Sequence, residues 1–145
     1  MVDDLYQEEI LDHYKNPRNF GPPPRKFRKG EQSVAVRESN ASCGDMVELW
    51  LVVDGEGKVV DIGFRGVGCA ISMAAASMLT EKIKNEKLKM KSIEEWGEAE
   101  MEELLGTRVG AARIKCVMLP LKAVKKAIEE IRNNESSARL KINRK

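Results

Sequence analysis

The sequence predicts an α+β fold, a three-stranded antiparallel sheet packed against several helices. Two observations predict it. Strand-like stretches at 33–40, 47–53 and 59–65 follow one another with short connections, and most of the helical periodicity comes after them. The last two stretches are joined by DGEGK, whose Asp54-Gly55 pair is a strong hairpin signal, so a meander is the simplest topology.

Each element has a local reason. Tyr6, Ile10 and Tyr14, with Leu5 and Leu11 beside them, form one stripe of an N-terminal helix over residues 3–15. From Lys15 to Lys29 four prolines and six basic residues, with no acid, stop that helix and leave an extended basic arm. After the third strand, broken by Gly66 and Gly68, CAISMAAASMLTEKIKNEKL reads as a helix whose small residues permit close packing on the sheet. Ser92-Ile93-Glu94-Glu95 has the pattern of a capping box and predicts a glutamate-rich helix that ends before Gly106. Val117, Leu121, Val124, Ile128 and Ile131 mark an amphipathic C-terminal helix, with Pro120 expected in its first turn. Beyond Arg132 the period is lost, which predicts a frayed, flexible basic tail.

The chain of 145 residues is expected to be one domain, 1–145, because its length suits one ordinary core and nothing divides it. Apolar residues make up 42% and charged residues 33%, which excludes collagen-like and disulfide-dense classes. A formal net charge of +2 is too small to imply nucleic acid as a partner. No run approaches the ~18 apolar residues of a membrane span, and the start MVDDLYQEEI is acidic where a secretory signal would be basic. The expectation is a cytoplasmic protein with no membrane partner.

Three cysteines, Cys43, Cys69 and Cys116, lie 26 and 47 residues apart, which suits neither a disulfide framework nor a CxxC redox pair. Each falls at the end of an element, Cys43 in a strand turn and Cys69 and Cys116 at helix starts whose free N–H groups favour a thiolate, so the three can converge on a metal or carry sulfur. Asp45, two residues beyond Cys43 in SNASCGDM, offers a fourth ligand. The alternatives stay open at this point: each cysteine alone also reads as a small buried hydrophobe, and Asp45 as a turn residue or cap. His13, the sole histidine, reads as surface or packing material. Trp50 and Trp96 read as core or partly covered surface, and the methionines as packing.

Four blocks, in order from residue 5 to residue 128, carry a resemblance: LYQEEILDHYKNPRNFG, NASCGDMVEL, GVGCAISMAAASML and RIKCVMLPLKAVKKAI. They resemble the U-type iron–sulfur cluster assembly scaffolds, the IscU proteins and the N-terminal domain of NifU, with features of the SufU-like branch. The resemblance implies a scaffold for de novo assembly of [2Fe-2S] clusters. It would receive sulfur from a cysteine desulfurase, bind iron, and transfer the cluster to apo iron–sulfur acceptor proteins, without being a turnover enzyme. It further implies Cys43, Cys69 and Cys116 as ligands and Asp45 as the exchangeable one, a harder donor among soft thiolates. The alternative is a zinc-dependent sulfur acceptor of the SufU type with sulfurtransferase activity, in which the same four residues bind zinc. Many family members place a histidine before the third cysteine; here Lys115 stands there and is a possible accessory group. VGAARIKC lacks the LPPVK sequence through which related scaffolds recruit a specialised Hsp70 chaperone, so dependence on that chaperone is not expected. A homodimer is possible, with Tyr6 either at a cluster-bridged interface or packed on its own sheet.

Overall fold

The computed structural model of the chain describes residues 2–23, 28–40 and 44–143. The elements in chain order are α1 (Val2–Lys15), β1 (Gln32–Asn40), β2 (Asp45–Val53), β3 (Val59–Val67), α2 (Ala70–Glu86), α3 (Met90–Glu94), α4 (Glu98–Leu105) and α5 (Ile114–Asn143). The sheet is antiparallel in the order β1-β2-β3, the meander that the sequence predicts. In β1, Val34 and Val36 alternate inward between exposed neighbours. Their partners Leu51 and Leu49 on β2 pair in turn with Ile62 and Phe64 on β3, so one face of the sheet is a continuous apolar layer. The other face is charged: Glu48 lies between its register partners Arg37 and Arg65, at 3.2 Å from each. Arg65 also stacks over half-buried Trp50, 5.4 Å from the ring centroid.

The hairpin between β2 and β3 turns as DGEGK predicts. The Asp54 carboxylate accepts the N–H groups of Glu56 and Lys58, and Gly57 takes a left-handed φ of 83°. At the other side of β3 the arm makes a short parallel bridge, with Gly21 N–H donating to the Phe64 carbonyl and Phe64 N–H to that of Asn19. The approach is so close that a Cβ on Gly63 would lie 2.1 Å from the Gly21 oxygen. Arg25 and Lys26 of the basic arm lie outside the described residues. Arg18 is not an uncompensated charge, since it pairs with Asp12 at 2.6 Å and with Glu81 at 3.7 Å.

α2 is buried almost all round, and its run of Ser72, Ala74, Ala75, Ala76 and Ser77 lets α1, β3 and α5 pack against it closely. The helix expected to open at the Ser92 capping box is instead two helices. Ser92 lies inside the short α3, and the capping box belongs to Gly97, whose N–H donates to the Glu100 carboxylate at 2.6 Å to start α4. Gly97 has an extended backbone that no helix interior holds, and the Lys125 ammonium of α5 caps the Trp96 carbonyl exposed by the break. α4 does end before Gly106, at a left-handed φ of 75°.

α5 differs from expectation at both ends. It begins at Ile114, with Pro120 in its interior. Burial of Val117, Leu119 and Leu121, at roughly 1.5–3 kcal/mol each, outweighs the ~3 kcal/mol cost of an interior proline. It also runs on to Asn143, so the segment after Arg132 is helical and not a frayed tail. Glu135 accepts a hydrogen bond from Gln32 at 3.0 Å and thereby ties the helix to the start of β1. Among the described residues no helix is long and apolar enough to cross a membrane.

Candidate metal centre

Three separate elements deliver three donors to one point. Asp45 opens β2, Cys69 is the N-cap of α2, and Cys116 lies in the first turn of α5. One carboxylate oxygen and the two Sγ atoms all lie within 4.8 Å of one another. Asp45 and Cys116 are buried and Cys69 is half-buried, which leaves one open side. The Cys69 N–H donates to Asp45 Oδ1 at 3.3 Å, and its thiol to Oδ2 at 3.7 Å.

Glycines make this approach possible. A Cβ on Gly68 would meet the Asp45 carboxyl carbon at 3.0 Å, and one on Gly66 would lie 2.3 Å from the Met46 carbonyl oxygen. Gly44, at a left-handed φ of 73°, turns the chain into β2 so that Asp45 is the first strand residue and not part of the turn. The donor set fits a metal: two thiols and a buried carboxylate suit zinc or iron, whose ligands stand about 2.0–2.3 Å from the ion.

Cys43 lies outside the described residues and is joined to Asp45 by Gly44 alone. Lys115 is exposed, next in the chain to Cys116. Of Tyr6, the backbone is placed in α1 and the side chain is not described. Beside the centre, a groove of about 570 Å³ runs between α1 and the start of α2, lined by Ile10, Leu11, Tyr14, Ala70, Ile71 and Arg113 among others.

His13 is packing material, as its isolation suggests, but with a polar role that sequence did not reveal. It is buried, and its Nδ1 lies 2.7 Å from the Ser77 hydroxyl, which also accepts the Arg18 N–H at 2.8 Å. Burial, and then the nearby Arg18 charge, hold its pKa below the usual histidine value, against the pull of Glu81, Glu9 and Asp12. Asp12 is held below the carboxylate range by hydrogen bonds from Arg18 and then Asn16. The only advance signal of this latch was the coincidence of His13 and Ser77 with helix faces that meet.

The NifU-like N-terminal domain family model matches residues 5–138. The chain belongs to the NifU-like N-terminal domain family. Within it, the chain is 37% identical over 142 residues to the zinc-dependent sulfurtransferase SufU of Bacillus subtilis, covering 88% of this chain and 91% of that one. It is 31% identical over 134 residues to the iron–sulfur cluster assembly scaffold protein IscU of Escherichia coli K12, covering 91% and 98%. A crystal structure from Fervidobacterium islandicum, described as a cluster assembly scaffold of the SUF system, superposes with a TM-score of 0.60 at 31% identity, covering 83% and 94% of the two chains. A NifU-like N-terminal protein of Brucella abortus shares the fold at a TM-score of 0.66 and 18% identity, over 91% and 97%. The family and the α+β scaffold fold expected from the four sequence blocks are therefore those of this chain.

Proposed function

We propose that the chain is a scaffold on which [2Fe-2S] clusters are assembled de novo and from which they pass to apo-proteins, a carrier and not a turnover enzyme. The observation that carries this reading is the convergence of Asp45, Cys69 and Cys116 from three elements onto one half-open point. With Cys43, two residues from Asp45 in the chain, the set reaches the four donors that a two-iron cluster requires. Sulfur would arrive when one thiolate attacks the outer sulfur of a cysteine desulfurase persulfide, leaving the desulfurase thiolate and a persulfide on this chain. Lys115, exposed beside Cys116, presents a cation to that anionic donor, and Arg28 and Lys29 of the arm add to the same attraction. Asp45 supplies the hard, weakly held ligand whose exchange releases the cluster. One domain would carry all of this, in a reducing compartment such as the cytoplasm where thiols persist.

A second reading is favoured by a specific observation: the relative at 37% identity is named a zinc-dependent sulfurtransferase. Under it, the same four residues hold zinc and an incoming persulfide displaces one of them.

Anaerobic purification with metal analysis, followed by iron and sulfide reconstitution, separates the two. Charge-transfer bands with iron and sulfide bound, and slower cluster release from Asp45→Cys than from the parent chain, support the scaffold. Stoichiometric zinc, no stable cluster, and zinc-dependent acceptance of sulfur from a desulfurase would replace it with the second reading. Light scattering with and without cluster tests for a homodimer.

A further inference from the structure

Among the described residues, one buried side-chain polar atom has no hydrogen-bond partner: the hydroxyl of Ser72, fully buried in α2. A buried hydroxyl left unpaired carries the cost of its lost hydration. The other buried hydroxyls of the same helix do not bear it. Thr80 bonds back to the Ala76 carbonyl at 2.9 Å, and Ser77 is held by His13 and Arg18. Ser72 stands too near the helix start for that bond, since the residue four back is Gly68, outside the helix, and its hydroxyl bonds to no carbonyl.

Its position explains what it is kept for. Cys69 is the N-cap of α2 and Ser72 is the third helical residue. An N-cap side chain normally accepts a hydrogen bond from the backbone N–H of the second or third helical residue, and residues three apart, as Cys69 and Ser72 are, lie as neighbours on one side of a helix. The Cys69 thiol makes no such cap; it donates to Asp45 instead. Once Cys69 binds metal or carries sulfur it has lost its proton and has become an acceptor. One turn along the helix, beside the free backbone N–H groups of the first turn, Ser72 carries an unspent side-chain donor.

We propose that Ser72 is a positioning residue whose hydroxyl donates to the anionic sulfur at Cys69, as thiolate on a metal or as the terminal sulfur of a persulfide. The inference rests on the metal-and-sulfur reading of the centre and deepens it. It assigns to α2 both a ligand and the donor that orients it, the arrangement by which outer groups tune metal sites.

The test compares the parent chain with Ser72→Ala in two states. Metal-free, the variant should melt at the parental temperature or above it, because the removed hydroxyl had no partner. With zinc titrated against a chromophoric chelator, its Kd should rise about tenfold, the lower end of the effect of losing an outer hydrogen bond. With cobalt(II) as probe, the thiolate-to-metal band should shift to lower energy, since an unbonded thiolate gives up its electron more easily. Equal Kd and an unshifted band in Ser72→Ala overturn this inference alone. So does a lower metal-free melting temperature with unchanged affinity, which would make Ser72 a packing residue. A parent chain that binds neither ion overturns the metal reading and the inference with it.

Discussion

The two long helices that cover the α2 layer, α1 and α5, are held by different physics. α5 presents Val117, Leu121, Val124, Ile128 and Ile131, all essentially inaccessible, to the sheet and α2. In α1 the described side chains, residues 7–15, bury only His13, with Ile10 half-covered and Leu11 and Tyr14 close to half exposed. One helix is anchored by aliphatic area that carries no charge and so does not respond to pH or salt screening. Among its described side chains, the other relies on a desolvated imidazole, a serine and two ion pairs of Arg18. An element held by few buried apolar contacts opens at lower cost than one in the core. α1 is also a wall of the groove beside the candidate centre, so the weaker attachment lies next to that centre.

The largest expected effect is on the aliphatic side of this contrast. Leu121→Ala should lose about 2–5 kcal/mol of unfolding free energy in urea melts, whereas Leu11→Ala on α1 should change it by no more than about 0.5 kcal/mol. Similar costs for both would abolish the distinction.

Next is the latch, where pH sharpens the comparison. The folded pKa of His13 lies below its ordinary 6.5, so above that value the histidine is neutral in both states and adds no pH dependence. As pH falls below 6.5 the unfolded chain takes up the proton first, and stability drops until the folded pKa is passed. His13→Gln should cost about 1–3 kcal/mol at neutral pH and flatten the decline that begins below pH 6.5. A variant with the parental slope would show that His13 does not titrate against folding.

The smallest effect belongs to the second half of α5, where Arg132 forks onto Glu94 with distances of 2.5 and 2.9 Å. Glu94 holds the guanidinium pKa above its usual value, but both side chains are 44% and 38% exposed. Arg132→Gln should cost about 0.2–1 kcal/mol at low salt, less as salt rises. A larger, salt-insensitive loss would mean that the second half of α5 is anchored there and not by its apolar stripe.

Spacing and turn chemistry determined a good deal without any structure. The DGEGK turn and the stop at Gly106 rest on interactions within a few residues, while the meander and the apolar stripe of α5 were readable from local periodicity and turn signals. The three cysteines and Asp45 stood out as candidate ligands because their residue types and flanking glycines are unusual together, and of these Asp45, Cys69 and Cys116 do meet.

Tertiary structure alone decided the rest. The break between α3 and α4, and the start of α5 before Pro120, follow from what those segments pack against, which overrode the local signals of Ser92 and proline. The meeting of Asp45 with Cys69 and Cys116, the bond between His13 and Ser77 across 64 positions, and the isolation of the Ser72 hydroxyl are relations between distant residues. No periodicity records them, because each depends on where a side chain comes to rest once the layers have closed.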